Sequence, residues 1–411
     1  NVNITGTNTD HMIIDQSTNK SIINWNSFSI HKQGQVDFNM PSSSSSSLNR
    51  VTGSTPSSIA GKLNSNGKVL IINPNGVVIT KDGVIKTGSF TASTLDINNQ
   101  DFLKDTLKFK GNGKSKNVTN QGKIIVGTGG NAALLGGQIS NSGIVSARLG
   151  KIALGAGEKI TLDFVGDGLM SVSIPKEKLG TIRDINGKTL KSLISNTGTL
   201  KANGGIIKLS AATAKSLSRS SVNIGSSGMI VARSVNDKTG KVVIGSPLNN
   251  NIRIAGKIDV SGQKSVSPSG TVIVNGRNVY HSGKIYASGK SGGKVNMLSK
   301  ETLKLDGSIF AKGDQANGGS VLFMSEKSIK SSKKVQVDAS GLYKGGEIRS
   351  LAQTTNDTSG SYKVNSKSGK GGKLDITGNK IEISKATIQA KGNIQGGKVR
   401  IGGDYLGGKK L

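Results

Sequence analysis

Three histidines, His11, His31 and His281, are the only imidazoles in a chain of 411 residues. A general base or a nitrogen-ligated metal would have to be built around one of them, and paired carboxylates are the other common route to acid–base work. None of the three lies near a Ser–Asp or metal-ligand arrangement, so each is expected at the surface. The nearest thing to a carboxylate pair is Asp163 and Asp167, and Phe164-Val165-Gly166 between them reads as a loop. Cysteine is absent, which excludes a disulfide scaffold and a thiolate zinc site. The residues therefore point to no catalytic group, no cofactor and no metal, and to binding and display rather than catalysis.

In place of such groups the chain offers turn chemistry. In Asn73-Pro74-Asn75-Gly76, proline presets φ at the second turn position, asparagine bonds its own backbone, and glycine accepts positive φ. A tight turn is expected there, between strands Lys68–Ile72 and Val77–Ile79. Asn141-Ser142-Gly143 belongs to a second set, with Asn120-Gln121-Gly122 and Asn196-Thr197-Gly198, in which Asn-x-Gly precedes a strand. Ser42–Ser47 reads as a low-complexity surface loop, and the sequons at Asn3, Asn19, Asn117 and Asn356 carry little weight in an Asn-rich chain.

The elements that hold these turns follow from repetition. Glycine pairs at 292–293, 318–319, 345–346, 371–372 and 396–397 recur every 25 to 27 residues. Runs such as Lys294-Val295-Asn296-Met297 and Lys373-Leu374-Asp375-Ile376 follow them, with apolar residues two apart, the period of a strand. Ser350 breaks this pattern where a second apolar residue is expected. A template of the form Gly256-Lys257-Ile258-Asp259-Val260-Ser261-Gly262 recurs in the same phase, and Ile252/Ile254, Leu303/Leu305 and Ile381/Ile383 mark a third strand.

A unit of three short strands in about 25 residues cannot bury its own apolar face, so it must stack on its neighbour. Each strand then pairs in parallel with its counterpart one coil away, at about 4.8 Å. Parallel crossovers are right-handed, and the period is too short for propeller blades. Aromatics make up only 3% of the chain, so the core must come from Val, Ile, Leu and Ala. The expected fold is all-β: a single-stranded right-handed parallel β-helix. Trp25 and Phe28 are expected to cap the first coil, because an open sheet edge invites aggregation. Leu95–Lys116 and Val165–Lys191 are expected to stand off the helix as extra hairpins or loops.

Net charge is +31, unevenly placed: residues 1–200 carry +9 and residues 201–411 carry +22. The asymmetry suits an acidic partner for the second half, such as an acidic glycan or nucleic acid. No apolar run is long enough to span a bilayer. The first residues lack a signal-peptide layout and Asn1 is no start methionine, so an upstream signal removed on export is expected, as is continuation of the coils beyond residue 411.

Five ordered motifs carry a resemblance. They are Ile22–Ile30, Asn49-Arg50-Val51-Thr52, Gly61–Ile79 with its Asn73-Pro74-Asn75-Gly76 turn, Phe90–Ile97, and Ile139–Val145. Together they resemble the two-partner-secretion domain of filamentous-haemagglutinin-type exoproteins, in the style of the high-molecular-weight adhesins. The likeness covers roughly residues 1–210, with 211–411 as a β-helical shaft. It implies export across the periplasm to the cell surface through an outer-membrane barrel transporter with periplasmic polypeptide-binding modules. It also implies a turn at Asn73–Gly76, and secondarily at Asn141–Gly143, that serves secretion. A surface adhesin follows, acting on an unidentified receptor or acidic glycan. A toxin or haemolysin stalk is the alternative, and a polysaccharide-degrading enzyme a weaker one.

Overall fold

The computed structural model describes residues 1–113, 115–164, 169–173, 192–212, 221–245, 250–263 and 266–402. The chain divides into two compact units, Asn1–Ala202 with Ile207–Val222, and Asn203–Ile206 with Asn223–Leu411. Each is a stack of coils carrying up to three short strands apiece, and strands in successive coils pair in parallel. The fold is the expected parallel β-helix.

In the first unit the inward positions form unbroken columns. Val36, Leu63, Ile85, Ile124, Val145 and Leu200 are register partners across six coils, none more than 6% exposed. Each such side chain contributes roughly 1.5–3 kcal/mol by burial, and each finds atoms of its own kind above and below. The stack begins with an antiparallel strand, Val2–Thr5, laid along the edge of His11–Gln16.

In the middle coils of this unit the second strand is buried on both faces, as in Lys68–Ile72, Asn131–Gly136 and Lys151–Ala156. Its outer face is covered by a separate antiparallel sheet made of Asp96–Ile97, Leu107–Lys110, Lys159–Asp163 and Leu169–Ser173. Phe102, Phe109, Ile160, Leu162 and Met170 pack there against Leu70, Ile72, Ala133, Leu135 and Ala153. Leu95–Lys116 therefore does not stand off the helix: most of its apolar residues turn inward to cover it. A short helix, Asn99–Leu103, begins at Asn98, whose side chain accepts the Gln100 N–H. Most of Val165–Lys191 lies outside the described residues.

The second unit shows plainer alternation. Ile230, Ile258, Ile285, Ile309 and Val337 form one inward column, and Val242, Val272, Val295, Val321, Ile348 and Leu374 another. The glycine pairs are explained by the coil spacing. A Cβ on Gly319 would lie 2.2 Å from the Gly293 carbonyl oxygen of the preceding coil, and one on Gly318 would lie 1.9 Å from the Ala339 carbonyl oxygen of the following coil. In the pairs from 292–293 to 371–372 the two members face opposite neighbours, so neither position tolerates a side chain; at 396–397 only Gly397 is so confined.

One expectation about the serines needs correction. Ser45, Ser46 and Ser47 are buried, and Ser46–Val51 is a strand, so the surface loop is confined to Ser42–Ser44. Ser350 does occupy the inward position where the pattern calls for an apolar residue, 4% exposed, with its hydroxyl bonded to the Asn356 carboxamide at 3.1 Å. Asn356 is wholly enclosed and also donates to the Ser350 and Thr377 carbonyls, which rules out its sequon as an accessible one in the folded chain.

Candidate functional site

The Asn73–Gly76 turn joins Lys68–Ile72 to Val77–Ile79, as its residue types require. Gly76 has φ +126°, a conformation that favours glycine. The Asn73 side chain is fully buried. Its amide donates to the Thr55 carbonyl at 2.9 Å and the Ser57 hydroxyl at 3.0 Å, and its oxygen accepts the Asn75 N–H at 2.9 Å. Asn75 donates from its side chain to the Gly53 carbonyl at 2.8 Å. Backbone bonds run from Asn73 N–H to Ser93 and from Ser57 N–H to Gly76, so the turn is stitched to the coils on either side. The Pro74 ring lines a trough beside the antiparallel sheet.

The Asn-x-Gly set resolves into two stacked columns. Asn120, Asn141 and Asn196 are register partners, each fully buried. The Asn120 side-chain amide donates to the Asn141 side-chain oxygen at 2.8 Å, and the Asn141 amide to the Asn196 oxygen at 2.7 Å. The companion glycines allow this closeness: a Cβ on Gly143 would fall 2.1 Å from the Gly122 carbonyl oxygen, and one on Gly198 would fall 2.2 Å from that of Gly143. Ser142, between them, is exposed.

Trp25 and Phe28 meet edge to face with ring centroids 5.3 Å apart. Trp25 ends Lys20–Trp25, which pairs with Ser46–Val51, and its indole N–H donates to the Asn49 side-chain oxygen at 3.0 Å.

The histidines and several carboxylates make local contacts or are buried. His11 contacts Asp37 at 2.6 Å and His31 contacts Asp10 at 3.2 Å, both at the surface. Partial burial pushes the Asp37 carboxyl up, but hydrogen bonds from Asn64, Gln35 and His11 outweigh it and hold it below its usual range. His281 contradicts the surface expectation. It is 1% exposed, a register partner of Ile254 and Leu305 in an inward column, with no normal hydrogen bond at either ring nitrogen. Burial drives its pKa down to about 4, only partly offset by the backbone at Ser308 and Ile254. Asp259 is 2% exposed; burial would raise its pKa, yet hydrogen bonds from Arg233 (2.7 Å) and Ser261 keep it low. Asp163 is an exposed residue at the end of Lys159–Asp163, and Asp167 lies outside the described residues.

Sequence reasoning missed the side chains that fasten the covering sheet. Arg50 donates to the Asp96 carboxylate at 2.9 Å and to the Ile97 carbonyl at 2.8 Å. The Lys20 ammonium donates to the Leu103 carbonyl at 2.6 Å at the end of the short helix and pairs with Asp105 at 2.8 Å. Their signal was present: Arg50 sits inside the Asn49–Thr52 motif.

Comparison with known proteins decides the family. The TPS secretion domain matches residues 1–260, more than half of the chain.

The chain belongs to the TPS secretion domain family.

A TPS domain directs the export, by way of the periplasm and a cognate outer-membrane transporter, of the exoprotein that carries it. Two curated relatives are heme/hemopexin-binding proteins of Haemophilus influenzae. One is 31% identical over 260 residues, covering 61% of this chain and 27% of the relative, and the other 29% identical over 281 residues, covering 62% and 29%. The chain thus spans little more than a quarter of the length of the curated relatives it matches. The solved HMW1 secretion domain from Haemophilus influenzae is 24% identical, with a TM-score of 0.64, covering 96% of this chain and 97% of that one, and shares the TPS fold. No helix among the described residues is long and apolar enough to cross a membrane.

Proposed function

We propose that the chain carries the export address and first coils of a surface adhesin, with residues 1–210 as secretion domain and 211–411 as shaft. In this reading the Asn73–Gly76 turn, and secondarily Asn141–Gly143, serve export through local folding. One observation carries it: the Asn73 carboxamide is completely enclosed while tying together Thr55, Ser57 and Asn75. An enclosed side chain offers nothing for a partner to read in the folded form, so it acts either on the unfolded chain in transit or by seating Val77–Ile79 on Ser57–Ile59. Val2–Thr5 closes one edge of the first coil, and Trp25 with Phe28 is proposed to shield another.

The test measures secretion and refolding separately for Asn73→Ala and Asn75→Ala. Secreted yield and refolding rate should fall together. Normal export with slowed refolding would remove the secretory role of the turn, and lost export with normal refolding would make it a transporter contact. The +22 charge of residues 201–411 supports an acidic receptor or glycan for the shaft. The likeness to heme/hemopexin-binding proteins supports a second reading, a haem-acquisition exoprotein; titrating the secreted chain with haemin checks it.

A further inference from the structure

The outer face of the covering sheet holds an arrangement that export does not explain. Lys110 and Lys159 are directly opposite one another in antiparallel register, and Lys108, opposite Thr161, lies two residues from Lys110 on the same face. All three are exposed, and none has a carboxylate within ion-pair distance among the described residues. Like charges directly opposite in a sheet are destabilising, because their Cβ atoms are only about 5 Å apart. The neighbouring carboxylate in the row, Asp96, is already engaged by Arg50.

These lysines line a trough of about 580 Å³. Its other walls supply different chemistry: the Thr161 hydroxyl, the exposed Asn98 side chain and the ring of Pro74. Asp101 is the remaining carboxylate on the wall. A volume of this order accommodates a small ligand of one or two rings. Three ammonium groups suit a dianion better than a single carboxylate, while hydroxyl and amide partners beside a small apolar wall suit a sugar ring.

We infer that the trough between the Asn73–Gly76 turn and the covering sheet binds a phosphorylated saccharide, with Lys108, Lys110 and Lys159 holding the phosphate. A ligand dianion there offsets the repulsion that the free sheet carries. The same chemistry is offered by a soluble sugar phosphate and by the phosphorylated saccharide headgroup of an envelope glycolipid. The site goes beyond export and stands whether or not the turn has a secretory role.

The test titrates the purified chain with glucose 6-phosphate and with glucose at fixed ionic strength. Glucose 6-phosphate should bind at least tenfold more tightly. The double variant Lys110→Thr with Lys159→Thr should lose at least tenfold in that affinity while melting no lower than the parent, since threonine suits a strand and the repulsion is gone. Lys123→Thr, on the outer face of a coil strand, should bind as the parent does. Vesicles containing a phosphorylated glycolipid, with the same vesicles after phosphatase treatment as the control, test the lipid source against soluble glucose 6-phosphate; phosphate-dependent binding of either source supports the site, and capture that survives phosphatase treatment overturns it. Equal affinity for glucose and its phosphate, full affinity in the double variant, an equal loss in Lys123→Thr, or no binding of either source would overturn it. If the double variant melts lower, the single variants Lys110→Thr and Lys159→Thr must each show the loss.

Discussion

At the scale of single residues, the asparagine column and His281 make opposite demands on burial. Asn141 spends both ends of its carboxamide on neighbours one coil away. Truncation strands the Asn196 oxygen in a closed space and leaves the Asn120 amide only its long 3.4 Å bond to the Ile144 carbonyl, and each buried group left unpaired costs about 1–3 kcal/mol. Asn141→Ala should therefore lose about 2–4 kcal/mol in urea unfolding, whereas Ser142→Ala, at an exposed site, should stay within about 0.5 kcal/mol. An Asn141→Ala chain as stable as the parent would mean the column is not a structural one. His281 is enclosed without a normal hydrogen bond, its pKa lowered from 6.5 to about 4. Between those values the unfolded chain binds a proton that the folded chain does not, so stability falls as pH drops from about 6.5 towards 4. The loss amounts to about 3 kcal/mol. His281→Leu should flatten this part of the stability–pH curve and be at least as stable as the parent at pH 7, since it removes two unpaired buried nitrogens. An unchanged curve would contradict the burial.

Elements in this molecule are defined by what their neighbours allow. A Cβ on Gly130 would lie 1.9 Å from the Gly88 carbonyl oxygen one coil away, while one on Gly127, at the other end of the same turn, would meet nothing closer than 3.7 Å. Gly130→Ala must push two coils apart and should cost about 2–4 kcal/mol, while Gly127→Ala should change stability by less than about 1 kcal/mol. Thermal melts of the two variants check this, and equal effects would refute the close-approach account. The covering sheet follows the same logic. Strands such as Lys68–Ile72, with Val69, Leu70, Ile71 and Ile72 all buried, carry apolar residues on both faces and need a second layer.

For the whole molecule, charge is the dominant long-range term. A net +31 opposes compaction through self-repulsion, and salt shortens its reach to about 10 Å at 0.1 M. Raising sodium chloride from low to moderate concentration should raise the melting temperature by several degrees, followed by circular dichroism; a fall would show that ion pairs such as Arg233–Asp259 outweigh the repulsion. Repetition at this scale made the fold readable. The 25-to-27-residue period, the glycine pairs and the two-residue apolar spacing each admit few arrangements, and the columns through Ile258 and Val295 follow directly from them. The sites were less readable. Asn73–Gly76 was visible as a turn from its residue types, yet the enclosure of Asn73 depends on Thr55 and Ser57, which lie in another coil.

What the sequence determined by itself was whatever recurs: strand period, parallel stacking, the aliphatic core and the secretion-domain motifs. Local physics is enough for these, because each repeat poses the same packing problem and accepts the same answer. The tertiary structure alone decided which positions of a coil meet an unlike neighbour. His281 looks like a surface residue until Ile254 and Leu305 close over it. Leu95–Lys116 looks like a loop until the two-sided strands beneath it supply an apolar face to cover. Burial belongs to a set of residues brought together by stacking, and residues distant along the chain enter that set only once the coils are in place.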